Sequence, residues 1–381
     1  MCNIYKNTWK DAVQLTHLHI TNFKNIAEAD LNFSQNINAL LGDNGMGKSN
    51  LLDAIYYLSF CKSFTSLPDA GIVRSGESFA MMQGDYLRRG MEEQVAFGYA
   101  AGKRKSFKRG GKEYSRLSQH IGVFPLVLVS PADMELVTGG AEGRRRFIDM
   151  LISQTDPTYL NHLIRYNGAL QQRNRLLRDH VADPNLYMAV EMTMEMSAEY
   201  ITSARRDITG RLRDIFAKHY RDIARTAETP QAEYRSALDQ SGRRFCELLD
   251  ESRRKDEIIG HTTVGPHRDD LELTLDGMAV KSTASQGQSK TFTIALRLAQ
   301  YEFMHEATGM RPLLLLDDIF DKLDSHRVAN IVEIVNRDIF GQIFITDTNR
   351  DHLDSIMSAM SGAEYSLWNV EGGKFHKMKR E

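Results

Sequence analysis

GDNGMGKS (Gly42–Ser49) and LLLLDD (Leu313–Asp318) decide how this chain folds. In the first stretch, Gly42 and Gly47 let the backbone wrap a polyphosphate with its N–H groups turned inward. Lys48 can reach the β- and γ-phosphates, and Ser49 can give an oxygen to Mg²⁺. Asp43, Asn44, Gly45 and Met46 complete the loop. In the second stretch, four apolar residues end in two carboxylates. A buried strand of this kind would deliver Asp317 to the edge where the loop sits, and there it can hold Mg²⁺ directly or through water. Asp318 could polarise the attacking water. Each stretch has a plainer alternative. A glycine-rich turn matches by chance on the order of one chain in a hundred, and leucines before two aspartates can be a core strand ending in a solvated turn. More than two thirds of the chain separates the two stretches. A compact kinase or small GTPase has no reason for such a gap, whereas an ATPase head closed from both chain ends around an insertion does.

The surroundings supply the context that the loop requires. Ile37 to Leu41 is continuously apolar, as a central strand buried on both faces would be. After the loop, Leu51, Leu52, Ile55 and Leu58 recur at helical spacing. Strand, glycine loop and helix in that order turn a motif match into a structural expectation. Upstream, Leu15, Leu18 and Ile20, then Leu31 and Phe33, alternate like half-buried strands. Glu92 to Arg116 is strand-like again, with Gly110-Gly111 as a hairpin signal. From about Ser153 the character changes. Leu160 to Tyr220 is nearly free of glycine and proline and predicts two or more long helices, with Pro184 at the turn between them. Leu271, Leu273 and Leu275 then mark one face of a strand. A helix from Ser289 to about Met304, the acidic strand, a helix over Ser325–Asn336 and the strand QIFIT follow. The expected class is α/β, a P-loop ATPase head with an inserted helical lobe. The head takes residues 1–150 and 258–381, and the lobe takes 151–257.

The 381 residues, 42% hydrophobic and 26% charged, suit a globular protein of two or three domains. A net charge of −2 gives no overall pull toward nucleic acid or acidic membrane, so DNA binding would need local basic patches. Cys2, Cys61 and Cys246 form no CxxC pair, which supports neither a disulfide framework nor a zinc site. No apolar run approaches the ~20 residues of a membrane span, and the N-terminus lacks a hydrophobic signal core. A cytoplasmic location is the expectation.

SQGQ (Ser285, Gln286, Gly287, Gln288) can be read in two ways that the sequence leaves equal. Ser285 and Gln288 have the spacing of a capping box, while Gly287 and the following helix start form a second anion site. One ATP does not need two γ-phosphate sites in one chain, but a dimer could use each SQGQ to cover its partner's nucleotide.

The phosphate loop, SQGQ, LLLLDD and DKLD (Asp321–Asp324) stand in the order of an ABC-type ATPase head. Together with TNFKNI (Thr21–Ile26), SPADMELV (Ser130–Val137), GRRRFID (Gly143–Asp149), QQRNRLL (Gln171–Leu177), GPHRDDL (Gly265–Leu271) and ALRLAQ (Ala295–Gln300), they make nearly the whole chain resemble the RecF family. The resemblance implies that Gly42 to Ser49 bind ATP and that Ser49 with Asp317 holds Mg²⁺. It also implies that SQGQ is the signature motif and that Asp324 lies in a D-loop crossing a dimer, its plainer role being a helix N-cap. Asp318 stands where most ABC ATPases carry glutamate; it is one methylene shorter, which suits a weak, DNA-stimulated ATPase used as a switch. The implied biology is DNA replication, recombination, repair of DNA damage and the SOS response. The chain would act as an ATP-dependent homodimer on gapped or junction DNA, with RecO- and RecR-like partners that load RecA. A small-molecule kinase is the alternative from another class; it explains neither SQGQ nor the wide split. A transporter ATPase subunit is opposed by Thr346-Asp347-Thr348, which lacks the usual histidine, and by a signature that reads SQGQ.

DNA contacts are expected on the hairpin cations Lys103, Arg104, Lys105, Lys108, Arg109 and Lys112, with Phe107 among them. Arg144 to Arg146 and Arg165, Arg173, Arg175 and Arg178 are further candidates, although a charge run is often only a solvated face. His267, Asp269 and Asp270 are too closely spaced for a complete zinc shell, so a structural or switch role is expected there.

Overall fold

The computed structural model describes residues 11–321, 323–359 and 364–378. Most of the N-terminal stretch read for a signal core, with Cys2, and Lys322 of DKLD lie outside them. The opening alternation folds as β1 (Val13–Phe23) and β2 (Ile26–Asn32), antiparallel, with Leu18 opposite Leu31. The apolar run becomes β3 (Ile37–Leu41), and α1 (Lys48–Phe60) starts where the glycine loop ends. Next come β4 (Phe79–Arg88), β5 (Met91–Ala100), β6 (Ser106–Arg109) and β7 (Lys112–Glu113). They extend an antiparallel sheet of order β2-β1-β4-β5-β6-β7. The β6–β7 turn has positive φ at Gly110 (54°) and Gly111 (77°), the conformation that the Gly-Gly hairpin signal required.

β8 (Leu126–Val129) precedes the mostly helical middle of the chain: α2 (Met134–Thr138), α3 (Ala141–Thr155), α4 (Pro157–Arg178) and α5 (Pro184–Ala224). β9 (Pro230–Arg235), α6 (Ala237–Ser241), α7 (Phe245–Ile259), β10 (Asp270–Leu275), β11 (Met278–Ala279), α8 (Val280–Thr283) and α9 (Gln286–Thr308) follow. The chain closes with β12 (Leu313–Asp317), α10 (Ser325–Val335), β13 (Ile343–Asp347), α11 (Arg350–Ala359), β14 (Tyr365–Glu371) and β15 (Lys374–Lys377).

The chain divides into two compact units. One, the head, holds the residues up to Asp133, Asp222–Arg225 and those from Arg297 onward; the other holds 134–221 and 226–296. The inserted unit therefore begins and ends outside the expected 151–257. It starts earlier because α3 packs its apolar face on α4 and β10. It ends later because DLELTL, expected in the head, pairs with β9 in a separate sheet of order β11-β10-β9.

The head carries a second sheet of order β15-β14-β3-β13-β12-β8, parallel except for β15. The central strands β12 and β13 and the edge strand β8 are all buried on both faces, which is why LLLL, IFIT and LVLV read as unbroken apolar runs. α1 packs against strands of both head sheets. Every residue from Leu51 to Phe60 is consequently buried, so the helix is enclosed all round, where a surface helix would bury a single stripe. Gln342 stitches the sheets together: its Oε1 accepts from the Leu15 N–H (2.7 Å), and its Nε2 donates to the carbonyls of Leu15 (2.9 Å) and Ser34 (2.7 Å). SPAD and ALRLAQ meet in a buried ion pair, Arg297 to Asp133, at 2.5 Å.

In the inserted unit Pro184 opens α5, as the turn signal predicted; at 41 residues this helix is ~60 Å long. GRRRFID, QQRNRLL and GPHRDDL lie in this unit. Arg144 forms a two-pronged pair with Asp270 (2.8 and 2.9 Å), Arg145 donates to the Asp269 carbonyl (2.7 Å), and Arg205 grips Asp149. Arg173, wholly buried, pairs with Asp256 (2.7 Å) and Glu191 (2.8 Å). Arg144, Arg145 and Arg173 are thus part of the scaffold, contrary to their reading as DNA contacts. His267 is pushed down to about 4 by burial. As a neutral ring it donates from Nε2 to the Thr262 carbonyl (3.0 Å) and accepts at Nδ1 from the Tyr166 hydroxyl (2.8 Å), a structural role. Among the described residues, no group of three or more His, Cys, Asp and Glu side chains is placed to hold a metal.

Candidate nucleotide-binding site

The loop leaves β3 at Gly42 and enters α1 at Lys48. Gly47 sits at φ 113°, and a Cβ there would lie 2.8 Å from the side chain of Asn25, so only glycine fits. Asn25 comes from the β1–β2 turn. It donates to the Met46 carbonyl (3.2 Å) and accepts from Asn50 (2.8 Å), bracing the loop from outside. The Met46 carbonyl also accepts from the Gly373 N–H (2.8 Å) in the β14–β15 turn. Neither brace was legible in the sequence, because nothing local marks a turn residue that touches this loop, whether from 21 positions away or from the far end of the chain.

Lys48 is buried at the end of this loop. Its Nζ donates to the carbonyls of Gly42 (2.5 Å) and Asp43 (3.0 Å). Burial lowers its pKa, opposed by the nearby charges of Asp318, Asp317, Asp347 and Asp43. The hydrogen-bond acceptors of this ammonium are neutral carbonyls, which anionic phosphate oxygens can replace.

The two ends of the chain meet at the next residue. β13 lies between β3 and β12 and holds the acidic strand in register, with Leu316 beside Ile345 and Ile345 beside Ala39. The Ser49 hydroxyl donates to Asp317 Oδ1 at 2.8 Å, across 268 positions of sequence. Thr346 Oγ1 donates to the same oxygen (2.8 Å) and accepts from the Asp318 N–H (2.9 Å). Thr346 is therefore committed to orienting the acidic pair. Burial pushes the Asp317 carboxyl above its usual range, with the Ser49 and Thr346 hydrogen bonds opposing. Asp318 has a left-handed backbone (φ 48°), uncommon for a non-glycine residue and a frequent mark of functional turns.

The other residues singled out in the sequence separate into groups. Asp324 caps α10 by accepting from the Arg327 N–H (2.9 Å), which holds its carboxyl below the usual range. In the inserted unit SQGQ forms the capping box: Gln288 Oε1 accepts from the Ser285 N–H (2.8 Å), and Ser285 Oγ accepts from the Gln288 N–H (3.2 Å). Ser285 and Gln286 remain exposed, and Gly287 half-exposed, at the start of α9. On the hairpin, Lys103, Arg104, Lys108 and Lys112 are exposed. Lys105 is tied to the Cys61 carbonyl (2.7 Å), Asp69 (3.1 Å) and the Tyr57 hydroxyl (3.2 Å), and Arg109 is tied to Glu93 (2.5 Å). Phe107 is buried against His120. The six-cation patch read from the sequence is therefore four cations, without an aromatic platform.

A phosphate loop and an acidic strand joined through a parallel sheet, with the capped SQGQ helix starting in an inserted unit, define an ABC-type ATPase head. The chain matches the model of the RecF/RecN/SMC N-terminal domain family over residues 14–366. It is 46% identical over 365 residues to the DNA replication and repair protein RecF of Parabacteroides distasonis, covering 96% of this chain and 99% of that one. It is 45% identical over 361 residues to that of Porphyromonas gingivalis, covering 94% and 99%. Among solved structures, the recombination mediator protein RecF-ATP of the RecFOR pathway superposes with a TM-score of 0.86 at 28% identity, over 97% of this chain and 98% of that one. An Smc head domain from Pyrococcus furiosus, at TM-score 0.57 and 16% identity over 96% of each chain, shares the fold alone. The chain belongs to the RecF family. Neither the kinase nor the transporter alternative is favoured by these likenesses. Among the described residues no helix is long and apolar enough to cross a membrane.

Proposed function

We propose that this chain binds ATP with Mg²⁺, pairs with a second copy through SQGQ and the Asp324 segment, and in that state grips DNA at gaps or junctions. Its place is recombinational repair, with RecO- and RecR-like partners that load RecA. The observation that carries this reading is the 2.8 Å hydrogen bond from Ser49 to Asp317, which joins two motifs that have meaning only together. The relatives' names and the ATP-bound relative supply the rest of the support. Mg²⁺ suits the donor set, two hard oxygens on Ser49 and Asp317; when bound it would neutralise charge on the phosphates. Lys48 would exchange its loop carbonyls for β- and γ-phosphate oxygens. Asp318, fixed through its N–H by Thr346, would polarise water, its short side chain suiting slow hydrolysis that acts as a timer.

The test is sizing by sedimentation with and without ATP, Mg²⁺ and gapped duplex DNA. The parent should pair only with ATP and Mg²⁺. Lys48→Ala should lose nucleotide binding, and Ser285→Arg should bind nucleotide but stay monomeric. A parent that is monomeric in every condition defeats the clamp. A Ser285→Arg variant that pairs normally removes SQGQ from the interface.

The four exposed hairpin cations are the proposed partners of DNA phosphates. Reversing Lys108 and Lys112 to Glu should weaken DNA binding and reduce the salt-dependence slope by about 1 for each phosphate that is no longer neutralised. An unchanged slope in a fluorescence-anisotropy titration would place the DNA elsewhere.

A further inference from the structure

The signature segment is held by a residue that its motif does not contain. Gln288 uses both ends of its amide: Oε1 completes the capping box with the Ser285 N–H (2.8 Å), and Nε2 donates to Glu228 Oε1 at 2.7 Å. Glu228 lies half-buried between α5 and β9. Its second oxygen, Oε2, accepts from the Tyr220 hydroxyl on α5 (2.8 Å) and from the Thr226 hydroxyl (2.8 Å). One carboxylate oxygen thus faces the end of α5 and the other faces the signature loop. Behind them Phe292 of α9 packs on Phe216 (ring centroids 4.7 Å apart) and on Tyr220 (5.9 Å).

Helix capping does not need this arrangement. A capping box is complete with Ser285 and Gln288 alone, and drawing a carboxylate partly out of water carries a desolvation penalty. What Glu228 adds is direction. With Nε2 anchored, Gln288 cannot turn its amide to solvent, so the Ser285 backbone and the Ser285 hydroxyl oxygen that accepts from the Gln288 N–H keep one geometry. We propose that Glu228 is a positioning residue for the signature segment: through Gln288 it fixes how Ser285 is presented to the nucleotide of a second copy. It also makes that presentation dependent on the end of α5. The inference rests on reading SQGQ as the contact to a partner's ATP.

The full chain with ATP and Mg²⁺ tests it, comparing Glu228→Ala, Glu228→Gln and Ser285→Arg. Two quantities are read: ATP-dependent self-association by sedimentation, and affinity for a fluorescent ATP analogue at protein concentrations too low for pairing. Glu228→Ala should weaken pairing about tenfold, the scale of one hydrogen bond to a charged group, and leave monomer nucleotide affinity within about twofold. Glu228→Gln keeps a carbonyl oxygen that accepts from Gln288 and should pair within about threefold of the parent. If Glu228→Ala pairs like the parent while Ser285→Arg does not, the Glu228 assignment is wrong and the signature reading stands. If both pair like the parent, the signature reading itself fails. A Glu228→Ala variant that loses nucleotide affinity in step with pairing, or a Glu228→Gln variant as weak as alanine, would show a merely structural role and overturn the proposal.

Discussion

Asp317→Asn is expected to give a chain at least as heat-stable as the parent, with most of its magnesium-dependent nucleotide affinity gone. The parent carboxyl is buried, and burial raises its pKa even though Ser49 and Thr346 both donate to it. The folded chain therefore holds a proton that the unfolded chain has already released in the window between the ordinary carboxylate value and the raised one. Stability falls as pH climbs through that window, and above it the ionised carboxylate is a standing penalty. Asparagine keeps an acceptor oxygen for both hydroxyls and removes the charge, so the ligand-free melt should hold or rise. The same change withdraws the proposed anionic ligand of Mg²⁺. The ATP affinity gained on adding Mg²⁺ should shrink at least about tenfold, each tenfold being ~1.4 kcal/mol. Differential scanning fluorimetry without ligand, with ATP, and with ATP and Mg²⁺ reads both halves. A ligand-free melt several degrees lower defeats the burial argument, and an undiminished magnesium effect takes Asp317 out of the metal role.

Arg173→Ala should be among the most damaging single changes in the inserted unit, at about 3–5 kcal/mol, because it strands buried acids that the guanidinium neutralises. Asp256 is fully buried; besides Arg173 it accepts from the Thr263 N–H (2.9 Å) and hydroxyl (2.7 Å), and its position is set by all of them. Arg175, only two residues further along α4, is 80% exposed and pairs with an exposed Asp179. Arg175→Ala should stay within about 0.5 kcal/mol of the parent. Guanidinium unfolding followed by circular dichroism, to which α4, α5 and α7 contribute heavily, separates the two. If Arg173→Ala were as stable as the parent but bound DNA poorly, its reading as a DNA contact would be restored.

These two residues mark what the sequence could and could not convey. The meeting of the Lys48–Ser49 loop with Asp317 was legible because phosphate chemistry would demand fixed residue types at short spacing, and the apolar runs before each motif announced the strands that present them. The capping box of Ser285 and Gln288 was legible for the same reason, as was the Asp324 cap. Arg173 misled because an arginine on a helix looks solvated until its acids, Glu191 and Asp256, arrive from elsewhere in the chain. Lys105 and Arg109 misled in the same way, through Asp69 and Glu93. The boundary of the inserted unit was misplaced because an alternating strand such as DLELTL does not say which sheet it will join. The contacts of Asn25 and Glu228 left no local signal, since they are made to backbone and amide groups tens of positions along the chain.

The neighbours of β3 in its sheet are β13 and β14, both from the end of the chain. The strand that carries the phosphate loop therefore lacks both flanking strands until the ribosome has added about 300 more residues, and at ~5–20 residues per second that wait is roughly 15–60 s. The antiparallel β1–β2–β4–β5 ribbon, paired locally, has no such delay. During synthesis the nascent chain carries an apolar strand, Ile37–Leu41, without its sheet neighbours for most of its translation. The Ser49–Asp317 contact becomes possible only as the C-terminal strands emerge, so a product truncated before β12 could not assemble it.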